Sequence, residues 1–375
     1  MKSLVAWLQR LATVTPELGP SIDYFRVCVH GADPLDIGSW ILSVEPQGLS
    51  GHSPQALGPE AWSVLRLPDA PNEVANCHTR HRLAADLACL LSLALERTIT
   101  IPIDFAIHVP QLQKVVFQPA GQIVDTDLLG PLPADAKQRI STYATAVAGL
   151  LPDDQDVIGA AGAAYHGALL LFDKEPRAAY TLLVAGIEVL SRRYGSPPTQ
   201  WEDWEAASNW DELFTAQCLT VEQAAAMQAR LMADRQLRLG GTFRTYASRR
   251  PRDSFWDKSL DHWVPVVDAN TGAWLPPTKS ASRTIADLLP RDRAVLEKSL
   301  AKSYQLRSAV VHEVKWFDLM TLGQPLGEVN YGEHPLSFPV LRALLGELIW
   351  VEIANRTSTA VLPDFQLLRQ PQDVS

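Results

Sequence analysis

Apolar residues recur along this chain at two different spacings, and the change from one to the other divides it. In the first 150 or so residues the pattern is mixed. MKSLVAWLQRLATV reads as an amphipathic first helix. Ile22 to His30 and Trp40 to Val44 are rich enough in β-branched and aromatic residues to predict strands, with turns at Gly31, Asp33-Pro34 and from Gly48 to Pro59. Leu83, Leu87, Leu90, Leu91 and Ala94 then follow helical spacing, predicting a helix from about Thr79 to Arg97. Strands return over Thr98 to His108 and Val115 to Val124, where Pro102 confines the first to an edge or splits it.

Beyond Pro131-Leu-Pro133 the spacing becomes almost wholly helical. Helices are expected from about Ala134 to Leu151, Ile158 to Phe172, Pro176 to Tyr194, Val221 to Arg238, Pro290 through His312, and Pro339 to Asn355. Pro176 suits a first turn, and Thr220-Val-Glu-Gln223 is a capping box. Phe255 to Pro277, with Trp256, Trp263, Trp274 and Asn270-Thr-Gly272, reads as a loop or β-hairpin between helices. The short polar run Leu151-Pro-Asp-Asp-Gln-Asp156 is taken as the linker. The expected fold is therefore an α+β N-terminal domain, residues 1–154, followed by an all-α helical bundle, residues 155–375.

Composition fits an ordinary globular protein of 375 residues, 47% hydrophobic and 20% charged. A net charge of −9 argues against indiscriminate nucleic-acid binding, so any such contact needs a local basic patch. Cys28, Cys77, Cys89 and Cys218 form no disulfide framework, which suits a reducing cytoplasm. No stretch has the roughly 18 uninterrupted apolar residues of a membrane span. Cys77-His78-x-x-His81, with Asp86 further on, has ligand types that zinc accepts, but no second pair accompanies it. It reads better as a solvated helix start, and no metal or cofactor is assigned.

The residues that point to chemistry lie in Tyr304-Gln-Leu-Arg307-Ser308-Ala-Val-Val-His312-Glu313. Arg307 offers a permanent forked cation that matches a phosphate, and His312 an imidazole able to move protons near neutrality. On an ideal helix such residues diverge by about 140°. A second segment, Ala178-Ala-Tyr180-Thr-Leu-Leu-Val-Ala-Gly-Ile-Glu188-Val-Leu190, sets Glu188 in a helix apolar nearly all round. A carboxylate there needs a partner: either Arg192 at i+4, as a surface pair, or the motif itself. Tyr304, one turn before Arg307, could line the same cleft or serve as a core aromatic. Arg230, Arg235, Arg238, Arg244, Arg249, Arg250 and Arg252, with Tyr246 among them, concentrate basic charge. They read either as a phosphate-contacting strip, in which Arg235, Arg238, Arg244, Arg249 and Arg250 would hold RNA, or as a solvated helix face. Trp201, Trp204 and Trp210, set among acidic residues, read as packing surfaces.

These two segments resemble the HEPN superfamily, and residues 155 to 357 its Apea-like branch, whose signature is Tyr-x-x-Arg-Ser, two or three further residues, then Val-His and a small or acidic residue. The resemblance implies a HEPN-type bundle with Arg307 and His312 catalytic, Glu188 facing them and Tyr304 beside them. It implies a metal-independent endoribonuclease in which the RNA's own 2′-hydroxyl attacks phosphorus, leaving 2′,3′-cyclic phosphate and 5′-hydroxyl ends. Such enzymes act in anti-phage defence or as toxins, on tRNA or other RNA, and homodimerise through the helical domain so that two motifs share one cleft. The N-terminal region would sense or position the target. Two further readings stay open: a catalytically silent HEPN module binding a nucleotide, an RNA or a protein, and a zinc hydrolase built on Cys77, His78 and His81.

Overall fold

The structure is a computed structural model, and it describes residues 1–13, 23–29, 45–46, 61–67, 77–100, 133–172, 174–204, 206–268, 270, 274–313 and 332–357. Among these, helix dominates. In chain order the elements are α1 (Lys2–Thr13), β1 (Asp23–Val29), β2 (Glu45–Pro46), β3 (Ala61–Leu67), α2 (Cys77–Leu95), β4 (Ile99–Thr100), α3 (Ala136–Ala148), α4 (Pro152–Leu171), α5 (Pro176–Tyr194), α6 (Ala207–Ala216) and α7 (Val221–Ala233). Then follow α8 (Leu239–Arg249), β5 (Ser259–Val267), β6 (Trp274–Thr284), α9 (Ile285–Leu288), α10 (Arg293–Glu313) and α11 (Phe338–Arg356).

The N-terminal strands form one antiparallel sheet in the order β2-β3-β1-β4. Its partner for β1, the run Ala61-Trp-Ser-Val-Leu-Arg-Leu67, contains tryptophan and valine, residue types that strands favour, but has no strict alternation, and the sequence reading assigned it no element. The predicted strands over Trp40 to Val44 and Val115 to Val124 lie outside the described residues, as does all but the start of that over Thr98 to His108.

The C-terminal part is not purely helical. β5 and β6 pair as an antiparallel hairpin whose register is irregular between Val264 and Val266. Pro265 sits at that irregularity and has no N–H to give a ladder. The predicted linker is also corrected: Pro152 occupies the first turn of α4, with Asp153 and Asp154 in that turn, so Leu151 to Asp156 opens a helix. Pro at the first helical position and carboxylates at the positive end of the dipole favour that outcome.

One continuous apolar core runs from Leu4, through Leu87, Ile158, Leu183 and Phe243, to Leu344 and Ile353. It therefore joins α1 to α3 with the later helices. α4 and α5 pack closely, and Gly186 of α5 faces both α4 and α11: a methyl there would lie 2.8 Å from Leu345 and 3.2 Å from Ala164. A second, small core of Trp204, Phe214 and Leu231, flanked by Trp201 and Trp210, holds α6 and α7 together. This excursion starts and finishes at one place, because the buried Arg238 donates to the carbonyl of Pro198. Trp204 Nε1 also donates to the carbonyl of Leu237 at 3.3 Å. The three tryptophans are packing residues, as read from the sequence.

Candidate functional site

α5, α8 and α10 pack against one another, and α5 and α10 bring Glu188 to Arg307. Glu188 is buried on a helix whose neighbouring side chains Val184, Ile187 and Leu190 are buried too. α10 is seated at three points. Arg293, in its first turn, donates to the carbonyls of Ser248 and Arg249 at 3.1 and 2.6 Å, the free acceptors where α8 finishes. Further along, the Ser299 hydroxyl accepts from Gly332 N–H at 2.6 Å, and Ser303 accepts from Leu336 N–H at 3.0 Å. Tyr180 of α5 donates to the Leu336 carbonyl at 3.0 Å. α5 and α10 thus share an anchor on the segment before α11.

With both helices so placed, the Arg307 guanidinium lies 3.5 Å from one oxygen of Glu188, and the Arg192 guanidinium lies 2.5 Å from the other. Both partners read from the sequence are present at once. The carboxylate is shared between two cations, so this spot carries a positive surplus in an acidic chain. Arg192 is half exposed and Arg307 25% exposed, so both side chains stay partly open to solvent. Arg307 Nε is enclosed and makes no hydrogen bond, and its contact with Glu188 runs through a terminal nitrogen. Tyr304 packs its ring 5.1 Å from that of Phe243 on α8, so it fixes the helix carrying Arg307 against α8. His312 lies on α10 by its backbone, one residue before that helix's last residue. Its side chain, like those of Val311 and Glu313, lies outside the described residues.

No known protein family matches the chain, and neither a curated protein nor a solved structure does. The likeness to HEPN proteins rests on the motif residues alone.

The predicted arginine strip is divided by the fold. Arg235 and Arg249 are exposed and Arg244 is half-buried. Arg238 is turned inward to Pro198, and Arg252 forms a fork with Glu347 at 2.7 and 2.9 Å. Arg250 donates to the fully buried Glu352 at 2.8 and 3.3 Å. Glu352 also accepts from Tyr246 at 2.8 Å and from Arg356, whose guanidinium stacks 3.6 Å from the Tyr194 ring. Tyr194 in turn donates to Asp154 at 2.8 Å. This network crosses α4, α5, α8 and α11. Burial, with the neighbouring Glu352, raises the Tyr246 phenol well beyond its ordinary range, so it stays a donor. The sequence reading missed Glu352, although the argument applied to Glu188, a carboxylate in an apolar helix, applies equally to it.

Asp86, considered beside the zinc-type residues, is engaged by the Met1 ammonium at 2.6 Å and the Leu4 N–H at 3.3 Å. The side chains of Cys77, His78 and His81 lie outside the described residues, and the described ones contain no group of three or more metal-binding side chains. His166, expected to be packed or at the surface, places Nε2 2.7 Å from the Ile99 carbonyl, and burial lowers its pKa. No described helix is long and apolar enough to cross a membrane.

Proposed function

We propose that the chain is a metal-independent endoribonuclease of HEPN type, cleaving RNA by attack of the 2′-hydroxyl on the adjacent phosphorus. The observation that supports this reading is the ion pair between Glu188 and Arg307. It brings together the two segments that carry the resemblance, although they are more than a hundred residues apart. Arg307 would stabilise charge on the non-bridging oxygens, and His312 would transfer the proton. Glu188 would position Arg307, with Arg192 as a second contact for the phosphate. Because residues five apart on a helix diverge by about 140°, a homodimer pairing the motifs of two copies would supply both groups to one phosphate. Products would carry 2′,3′-cyclic phosphate and 5′-hydroxyl ends, and a role in phage defence follows from the resemblance.

The test is cleavage of bulk cellular RNA by the purified protein in EDTA, beside Arg307→Ala and His312→Ala, with product ends characterised. Arg307→Ala is expected to slow cleavage by about 10²- to 10³-fold, the usual cost of removing one charge-stabilising donor, and His312→Ala to abolish it. Equal activity in wild type and both variants would overturn the assignment. The second reading, a silent HEPN module that binds a nucleotide, an RNA or a partner protein, is favoured by the occupation of Arg307 by Glu188. It predicts binding without cleavage by wild type.

A further inference from the structure

A second site lies away from α5 and α10. A cavity of about 750 Å³ opens between α2, α3, α11 and the hairpin of β5 and β6, a volume in the range of small-molecule sites. Neither Glu188 nor Arg307 lines it. Its charges are balanced and already matched: Glu96, Asp135, Asp261 and Glu347 stand against Arg97, Arg139, Arg252 and Lys258. Lys258 lies 2.6 Å and Arg139 3.5 Å from Glu96, and Arg139 is also 3.0 Å from Asp135. Arg252 forks to Glu347, and Asp261 pairs with Lys279 at 2.8 Å. Burial alone would raise the Glu96 pKa, but Lys258, Arg342 and Arg139 more than reverse it and hold it at about 2, so its pairs persist at neutral pH.

A ligand with net charge would have to break one of these pairs to gain another. A hydroxyl need not. A carboxylate has more lone pairs, and a guanidinium more N–H groups, than one pair consumes, and a hydroxyl can both donate and accept. Gln138, Thr142, Ser254 and Ser259 add neutral donors and acceptors to the same lining. A wholly apolar ligand would bury these groups without partners.

The walls also carry rings. Tyr143 and Trp350 stand with ring centroids 4.5 Å apart, and Trp263 enters the lining from the hairpin. Arg139 and Tyr143 are one turn apart on α3, and Glu347 and Trp350 are one turn apart on α11. Each helical wall therefore sets an ion-paired group about 5–6 Å, Cβ to Cβ, from an aromatic ring. The molecule that uses both at once has an apolar face and a rim of hydroxyls. A pyranose is built that way, with C–H bonds on its faces, which suit the electron-rich face of an aromatic ring, and hydroxyls around its edge.

We propose that this cavity binds a neutral saccharide, its ring face against Tyr143, Trp350 and Trp263 and its hydroxyls on Gln138, Arg139, Arg252 and Glu347. Binding there is independent of the reaction proposed for Arg307.

Isothermal titration of the full-length protein with glucose, galactose, mannose, N-acetylglucosamine, maltose, cellobiose, lactose and trehalose tests it, with glucuronate, glucosamine and AMP as charged controls. At least one neutral sugar should saturate a single site, and each charged control should bind at least tenfold more weakly than that sugar. Trp263→Ala, checked for folding by circular dichroism, should weaken binding about tenfold through loss of one aromatic contact. Gln138 is exposed, so Gln138→Ala tests the site without disturbing the core, and should weaken binding about threefold through loss of one hydrogen bond. Arg307→Ala should leave the titration unchanged. The proposal is overturned by no saturable heat from any neutral sugar, or by a charged control that binds as tightly as the best sugar. Unchanged affinity in both cavity variants, or loss of binding in Arg307→Ala, overturns it too.

Discussion

Glu188 shows how one buried carboxylate can hold two arginines that differ in accessibility. Replacing it by Gln removes the shared charge while keeping its shape, and Glu188→Gln is expected to cost about 1–2 kcal/mol of stability in urea unfolding. Arg192→Gln, on the half-exposed side of the same carboxylate, should change stability by less than about 0.5 kcal/mol. Glu352 gathers more partners. It is fully buried and accepts from Tyr246, Arg250 and Arg356, while both arginines stay partly exposed and Arg356 also pairs with Asp154, so Glu352→Gln should cost about 1–3 kcal/mol. Glu96 sets a pH dependence: its folded pKa of about 2 lies below the 4.5 of a free glutamate. The stability it contributes is fully present above pH 4.5 and is lost as pH falls from there through 2. Lys258→Gln should therefore flatten the acid limb of a thermal-unfolding profile measured over that window. Glu188 and Arg307 were legible as candidates because each is a charge within a helical apolar frame. The inward turn of Arg238 and Arg250 was not legible. Their partners, Pro198 and Glu352, lie 40 and 102 residues away, and composition cannot show which surface arginine will find a distant acceptor.

At the scale of elements, local signals performed well where one residue type dominates the outcome. The helix from Pro176 to Tyr194 and the Thr220 capping box are found as read, and Thr220→Ala should cost about 1 kcal/mol, confined to α7. Boundaries set by tertiary contact were less legible. Leu151 to Asp156 looked like a linker because it is polar and contains proline, yet proline and aspartate are also what a helix start prefers. β3 was missed because its seven residues lack strict alternation, and the run is fixed as a strand only by pairing with β1. Gly186, unremarkable in sequence, decides how closely α4, α5 and α11 approach. Gly186→Ala is expected to lose about 1–3 kcal/mol through overpacking against Leu345, outweighing the gain in helix propensity, and thermal unfolding would show the sign.

For the whole molecule, the extent of the two cores says what unfolds together. The main core unites α1, the helices of the N-terminal part and the later bundle, so these elements should protect their amides as one unit. α6 and α7 have only their own small core, and hydrogen exchange should open them at a lower free energy than α5 or α11. The contact between Arg238 and Pro198 adds a further consequence. A length of chain whose two ends touch is topologically a detour, since the route from α5 to α8 would be the same without it. Residues 199–237 could then be spliced out and bridged by a short glycine-serine joint, or exchanged for an unrelated module, with α5 and α8 left where they are. In a lineage of such proteins, that is where length and sequence would be free to diverge.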